Sequence, residues 1–320
     1  MRSAVTVVVV GYALAMLLLS VLVGRFGDSN SLGMLLLFGP RWLLLLPWLV
    51  LLPLAFLAHR RAVVVPVALI SVLVTALGVS RFEIPSPWRN AGSGLTLRVV
   101  TYNTDRVPLN IASDLARWQA QLVLLQDCKS VVGEGIASLA HREELYTYRD
   151  AEFCVASQLP ISNVERMPAD AREGRALRFN TRWDGVDVRV GVVHLPTPRD
   201  ALWAARNGNT SLLERSVRVR SSASRFASAW MREGWPGALI VAGDFNLPVE
   251  SRSLREDWPG MTNAFSTAGM GFGHTMYAGR HRVRIDHVLV SREFSVARAD
   301  VRTGYPSEHQ PVVVELERLP

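Results

Sequence analysis

The feature that most constrains this chain is the uneven placement of its apolar residues, which begins with Ala4 to Val23, a run of about 20 residues without a charge. At 1.5 Å of rise per helical residue, that length matches the roughly 30 Å hydrocarbon core of a bilayer, so a first membrane helix is expected over 4–23. A second span is expected over 42–58, with Arg41 and Trp42 placed as interfacial anchors and Leu32 to Phe38 either extending it or lying in the interface. A third is expected over 62–79. Pro47, Pro53 and Pro66 fall inside these spans and are tolerable there, because neighbouring helices can satisfy the carbonyls they leave bare. Further apolar segments follow the first, which argues against a cleaved secretory signal.

The short connections orient the bundle. His59-Arg60-Arg61 is the most basic of them, so the positive-inside rule keeps it and Arg2 cytoplasmic and sends the chain beyond Val79 to the extracytoplasmic side. Pro85, Pro87, Gly92 and Gly94 then mark a turn-prone linker over 81–94, and a distal domain is expected over 95–320. The net charge of +7 gives no strong electrostatic footprint for nucleic acid. The first eighty residues hold five Arg and one acid, which leaves 30 basic against 27 acidic residues for the rest.

In the distal part, strand-like runs recur at Leu95 to Tyr102, Leu122 to Gln126, Phe153 to Ser157, Ala176 to Arg182, Val186 to Leu195, Ala238 to Ala242, Arg284 to Val290 and Pro311 to Leu316. Leu109 to Trp118 reads as a short amphipathic helix and Thr210 to Arg232 as a long one. Many strands without a regular strand–helix alternation suit two mixed sheets packed face to face with helices outside. Arg215, Arg218, Arg220 and Arg225 on the long helix read as a solvated face, with an anion-binding surface as the alternative. Cys128 and Cys154 lack metal-site spacing. They read as buried thiols, or as one disulfide if the domain faces an oxidising compartment.

Polar residues recur where the apolar runs end: Asn103, Asp127, His194, Asp244 with Asn246, Asp286, and Glu308 with His309. Alone, each has an ordinary explanation, since Asn and Asp cap turns and a single His is commonly a rim residue. Together they carry more. Leu-Arg-Val-Val-Thr-Tyr-Asn, Leu-Val-Leu-Leu-Gln-Asp, Val-Val-His-Leu, Ala-Gly-Asp-Phe-Asn, Arg-Ile-Asp-His-Val-Leu-Val-Ser and Ser-Glu-His-Gln-Pro-Val-Val-Val resemble, in this order, the motifs of the endonuclease/exonuclease/phosphatase (DNase I-like) superfamily. The apolar prefix resembles that of its bacterial, membrane-anchored members.

The resemblance implies a four-layer α/β sandwich, here preceded by an all-α transmembrane region, and hydrolysis of a phosphate ester with a divalent cation, Mg²⁺ or Mn²⁺. Physical reasoning asks for the same parts: a cation to neutralise the phosphoryl oxygens, donors to hold them, and a base to orient water. Hard oxygen ligands suit Mg²⁺. By the resemblance, Asp127 is the main metal carboxylate with Asn103 and Glu308 near it, and Asp244 and Asn246 orient the water. His194 and His309, with Asn103 and Asn246, hold the scissile phosphate, and Asp286 fixes the His309 tautomer. Which group takes the water's proton stays open.

The superfamily has Glu where this chain has Asp127, and Asp where it has Glu308. The reciprocal swap is expected to let the pair embrace a slightly displaced cation. The rival expectation is a catalytically weak binding or sensing module of the same fold. The expected partners are the bilayer and a phosphate ester (a lipid headgroup, a nucleic acid or a small molecule), and nothing in the sequence indicates a protein partner.

Overall fold

Proline and glycine decide how the apolar prefix folds. In a computed structural model that describes residues 2–79, 81–86, 94–107, 110–128, 135–136, 138, 145–150, 152–168, 174–279 and 281–319, the prefix forms α1 (Arg2–Phe26), α2 (Ser31–Phe38), α3 (Trp48–Ala55) and α4 (Arg61–Leu73). Pro87, Gly92 and Leu109 lie outside the described residues. Two helical stretches, Arg2–Phe26 and Arg61–Gly78, are long and apolar enough to cross a membrane. The expected span at 42–58 is not one straight helix. Gly39-Pro40 ends α2, a tight turn occupies Arg41–Leu45, and α2 meets the Arg41–Ala55 stretch at 80°, so the two reach the length and apolarity of a span only as a bent pair. Pro40 has no N–H to continue the helix and disfavours helical backbone in the residue before it.

Among the described residues the distal part holds fourteen strands. The first sheet contains β1 (Thr96–Asn103), β2 (Leu122–Gln126), β3 (Tyr146–Arg149), β4 (Phe153–Ser157), β13 (Phe294–Val301) and β14 (Val312–Arg318), in the order β13-β14-β1-β2-β4-β3. The second contains β5 (Ser162–Arg166), β6 (Arg175–Trp183), β7 (Val186–His194), β8 (Ala238–Asp244), β9 (Thr262–Asn263) and β12 (Asp286–Val290), in the order β5-β6-β7-β8-β12-β9. A hairpin of β10 (Met276–Ala278) and β11 (His281–Val283) stands apart. The helices are α5 (Ile111–Trp118), α6 (Arg199–Arg206), α7 (Ser211–Arg232), α8 (Arg252–Glu256) and α9 (Ala264–Ala268).

Both sheets are mixed, and alternation along each strand sorts side chains into layers. Leu97, Val99, Leu122, Leu124 and Phe153 of the first sheet meet Leu177, Phe179, Val190, Val192 and Ile240 of the second in one buried core. The opposite face of the second sheet (Val193, Leu239, Val241) packs on Ala227, Trp230 and Met231 of α7, and that of the first (Val100, Tyr102, Val123) packs on Trp118. The result is the four-layer α/β sandwich. Gly243 shows how tightly β7 and β8 approach. It sits at φ +143, and a Cβ there would lie 2.0 Å from the Val193 carbonyl oxygen, so only glycine fits before Asp244.

The prefix and the sandwich share buried ion pairs. Asp28, between α1 and α2, lies 3.2 Å from the Arg220 guanidinium and accepts from Ser251 Oγ at 2.7 Å. Arg41 pairs with buried Glu250, and Glu83, from the expected linker, accepts from Arg284 at 2.6 Å. Residues 81–86 are thus docked on the sandwich, with Glu83 bridging to Gly271. Of the α7 arginines, Arg220 is 1% exposed and so leaves the expected solvated face, while the exposed Arg218 and Arg225 pair with Glu214 and Asp257.

Candidate active site

Strand register brings the site together. On the second sheet, Asp244 is level with His194 of parallel β7 and with Asp286 of antiparallel β12. Asp286 therefore opens its strand instead of closing one as Asn103, His194 and Asp244 do, and reaches the same edge because β12 runs the opposite way. On the first sheet, Asn103 ends β1 level with Gln126, and Asp127 follows directly. Asn103 Nδ2 donates to Asp244 Oδ2 at 2.9 Å, which ties the two sheets together across the site.

Asp244 is buried and accepts from the Asn246 backbone N–H at 2.9 Å, while the Nε2 atoms of His194 and His309 lie 3.7 and 3.8 Å from it. Burial, and then the nearby Asp286 charge, push its pKa up. Asp286 accepts from His309 Nδ1 at 2.9 Å. Burial opposes the positive charge of His309, but Asp286 and Asp244 outweigh it and raise the pKa to about 9. Asn246, at φ +50, donates its side-chain amide to the Leu195 carbonyl at 2.9 Å, and its own carbonyl accepts from Arg220 at 2.6 Å.

Two findings depart from the sequence reading. Glu308 does not join Asp127: its carboxylate turns outward to Arg199 at 2.5 Å. Its neighbour His309 points inward to Asp286, while Glu308 itself lies in the bend over 306–308 that precedes β14. The reciprocal-swap geometry is therefore absent. In its stead stands Glu152, which sequence reasoning missed. It bonds His194 Nδ1, pairs with Arg175, and lies with Asp127 and His194 in a group whose ligand atoms are all within 4.8 Å of one another. Burial lowers the His194 pKa, but Glu152, Asp244 and Asp127 together raise it. Glu152 ends no apolar run and so carried no signal. Only its place two residues before Cys154 marks it.

Cys128 and Cys154 form a disulfide across 5.8 Å between Cα atoms, so the sequence reading of them as buried thiols gives way to its alternative. The bond joins the residue after Asp127 to the residue two beyond Glu152 and staples both carboxylate-bearing segments. Replacing both cysteines with Ala is expected to lower stability by about 3 kcal/mol, read by denaturant unfolding, and to weaken metal affinity.

Asp127, at φ +49, presents a carboxylate that pairs with exposed Arg106 at 3.6 Å. Asp127 and Glu152 supply hard oxygen donors and His194 a ring nitrogen, all within 4.8 Å of one another, so the residues present fit a small divalent cation.

His287 lies behind the site. Its Nε2 donates to the Leu247 carbonyl at 2.8 Å and its Nδ1 accepts from Asn263 at 3.1 Å, and burial pushes its pKa down to about 4. Its neutral form is native, so its contribution is present above pH ~6.5 and is lost as pH falls toward 4, on the order of 3 kcal/mol. His287→Gln is expected to flatten that part of the stability–pH curve in thermal melts.

The chain belongs to the Endonuclease/Exonuclease/phosphatase family, whose profile matches residues 100–309, and with that family it is a hydrolase of phosphate ester bonds. No curated protein sequence matches it. Among solved structures it is similar to truncated Caenorhabditis elegans TDP2, with a TM-score of 0.53 at 16% identity over 70% of this chain and 98% of that one. It is similar to D. rerio TDP2 complexed with single strand DNA product, with a TM-score of 0.51 at 15% identity over 69% and 99%. An endonuclease/exonuclease/phosphatase from Beutenbergia cavernae gives a TM-score of 0.53 at 18% identity over 70% and 72%. These likenesses are of fold.

Proposed function

We propose that the chain is a membrane-anchored phosphoesterase of the bacterial type, working with Mg²⁺ or Mn²⁺ and holding its catalytic domain outside the cytoplasm. The observation that carries this reading is the convergence of Asn103, Asp127, Glu152, His194, Asp244, Asp286 and His309 on one edge of the sandwich. Two apolar helices of spanning length support the anchor, and the disulfide supports the oxidising side, since such bonds persist there.

Asp127, with Asn103 and Glu152 beside it, would hold the cation. When bound, that ion neutralises charge on the phosphoryl oxygens. Asp244, oriented by Asn103 and the Asn246 N–H, accepts a proton from the attacking water, and its raised pKa makes it a better acceptor near neutral pH. His309, kept charged by Asp286, donates from Nε2 to the phosphoryl group as the new P–O bond forms and the ester P–O bond breaks. His194, held by Glu152, does the same from the other side. Glu308 stays at the rim, outside the metal set.

The test is hydrolysis of bis-p-nitrophenyl phosphate by the full-length protein in detergent. Turnover that needs Mg²⁺, stops with chelator and is lost in Asp127→Ala is expected. Equal silence with and without metal would favour the binding module.

A further inference from the structure

Beside the candidate site lies a groove of about 610 Å³ that none of these roles uses. Its walls come from both parts of the chain: Leu35 and Phe38 of α2, Leu202 and Trp203 of α6, and Met276 and Val283 of the hairpin. One portion is polar and belongs to the site. It includes Asn246, two residues past Asp244, and Arg199, which donates to Glu308 beside His309. The apolar portion is firmly built, since Met34 and Phe38 pack with Ala201, Leu213, Val283 and Ile285 in one buried cluster. Nearby, Trp203 is 69% exposed and Leu32 is 76% exposed. In water such exposure is unfavourable, but it is what side chains at a bilayer interface show.

We infer that this groove takes the hydrocarbon chain of an amphiphilic phosphate ester drawn from the membrane, with the phosphate near Asn246 and Arg199 and the chain between α2 and α6. The inference rests on the active-site reading above and assigns its substrate class. Two features favour a lipid. The groove shares Asn246 with the proposed phosphate site, and one wall is α2 of the apolar prefix, which the anchor reading places at the bilayer. A nucleic acid would lay charged backbone along Leu35, Phe38 and Leu202, and a small soluble ester would leave those walls in water. Burying a methylene in such a groove strengthens binding roughly three- to fourfold, so chain length is the variable that discriminates.

The full-length protein in detergent with Mg²⁺ is assayed on p-nitrophenyl alkyl phosphates from ethyl to dodecyl at fixed micelle concentration. The expected result is a stepwise rise in kcat/KM with chain length, exceeding about a hundredfold across the series. Leu202→Gln and the exposed Trp203→Gln are each expected to flatten the rise while leaving the ethyl ester rate unchanged. A flat wild-type series overturns the inference. So does a rise that survives both substitutions, as partition into micelles alone would give, or preferred cleavage of a single-stranded oligonucleotide that neither substitution alters. Silence on every ester, ethyl included, would sink the active-site reading instead. The groove would then be judged by dodecyl phosphate binding, with retention in wild type and loss in Leu202→Gln supporting it and equal binding by both overturning it.

Discussion

Asp244→Asn is expected to lower kcat/KM for a phosphodiester by about a thousandfold while leaving the fold in place. The substitution keeps the size of the side chain and can keep the hydrogen bond from the Asn246 N–H. It removes the negative charge that faces His194 and His309, and the proton acceptor with it. With one oxygen where the carboxylate had two, it keeps the Asn246 bond only by setting its amide nitrogen against the Asn103 Nδ2 donor, so that one bond is lost. Because a neutral side chain replaces a carboxylate buried beside Asp286, the melting temperature should hold steady or rise. Steady-state kinetics and a thermal melt on the same preparation check both halves. Loss of activity together with collapse of the fold would contradict the assignment.

Asp28→Ala is expected to destabilise the whole protein by about 3 kcal/mol or more, although position 28 is far in sequence from the sandwich. Arg220 is fully buried and packs over the Phe38 ring at 5.0 Å, and its Nε and Nη1 atoms find no partner among the described residues. Asp28 is the carboxylate that pairs with it. Burial already lowers the Arg220 pKa, with Asp28 opposing, so removing Asp28 strands a cation in an apolar setting. The double variant Asp28→Leu with Arg220→Met should recover most of the stability, because the desolvation cost goes with both charges. Its activity should stay reduced, since Arg220 also holds the Asn246 carbonyl. Thermal unfolding and kinetics of both variants in detergent separate these effects. By the same reasoning, a fragment starting at Leu95 leaves Arg220, Glu250 and Arg284 without Asp28, Arg41 and Glu83. Such a fragment is expected to be much less stable than the full chain.

The legible strands were those buried on both faces or alternating cleanly. β2 and β4 fall on their expected residues because each is an unbroken apolar run, and α7 starts within a residue of its expected position. β3 and β5 escaped notice. They are sheet edges with mostly exposed side chains, so no apolar period marks them. β13 escaped because its pairing with β14 shifts between Val296 and Arg298, which breaks the two-residue period. In the prefix, the long helical stretches at 2–26 and 61–78 were readable from hydropathy, but the 80° bend that breaks the expected 42–58 helix was not, because the number of apolar residues says nothing about the direction the chain takes after Gly39-Pro40.

The ordered local motifs marked six residues as candidates for the site. Asn103, Asp127, His194, Asp244, Asp286 and His309 all stand where an apolar run meets a polar residue, and a strand that enters a core must present its polar end at the rim. Tertiary structure alone decided their company. Glu152 reaches His194, Glu308 turns away to Arg199, and Asp28 crosses to Arg220. Each of these partnerships joins segments far apart in the chain, and a pairing of that kind depends on sheet register and packing, which no local window of sequence contains.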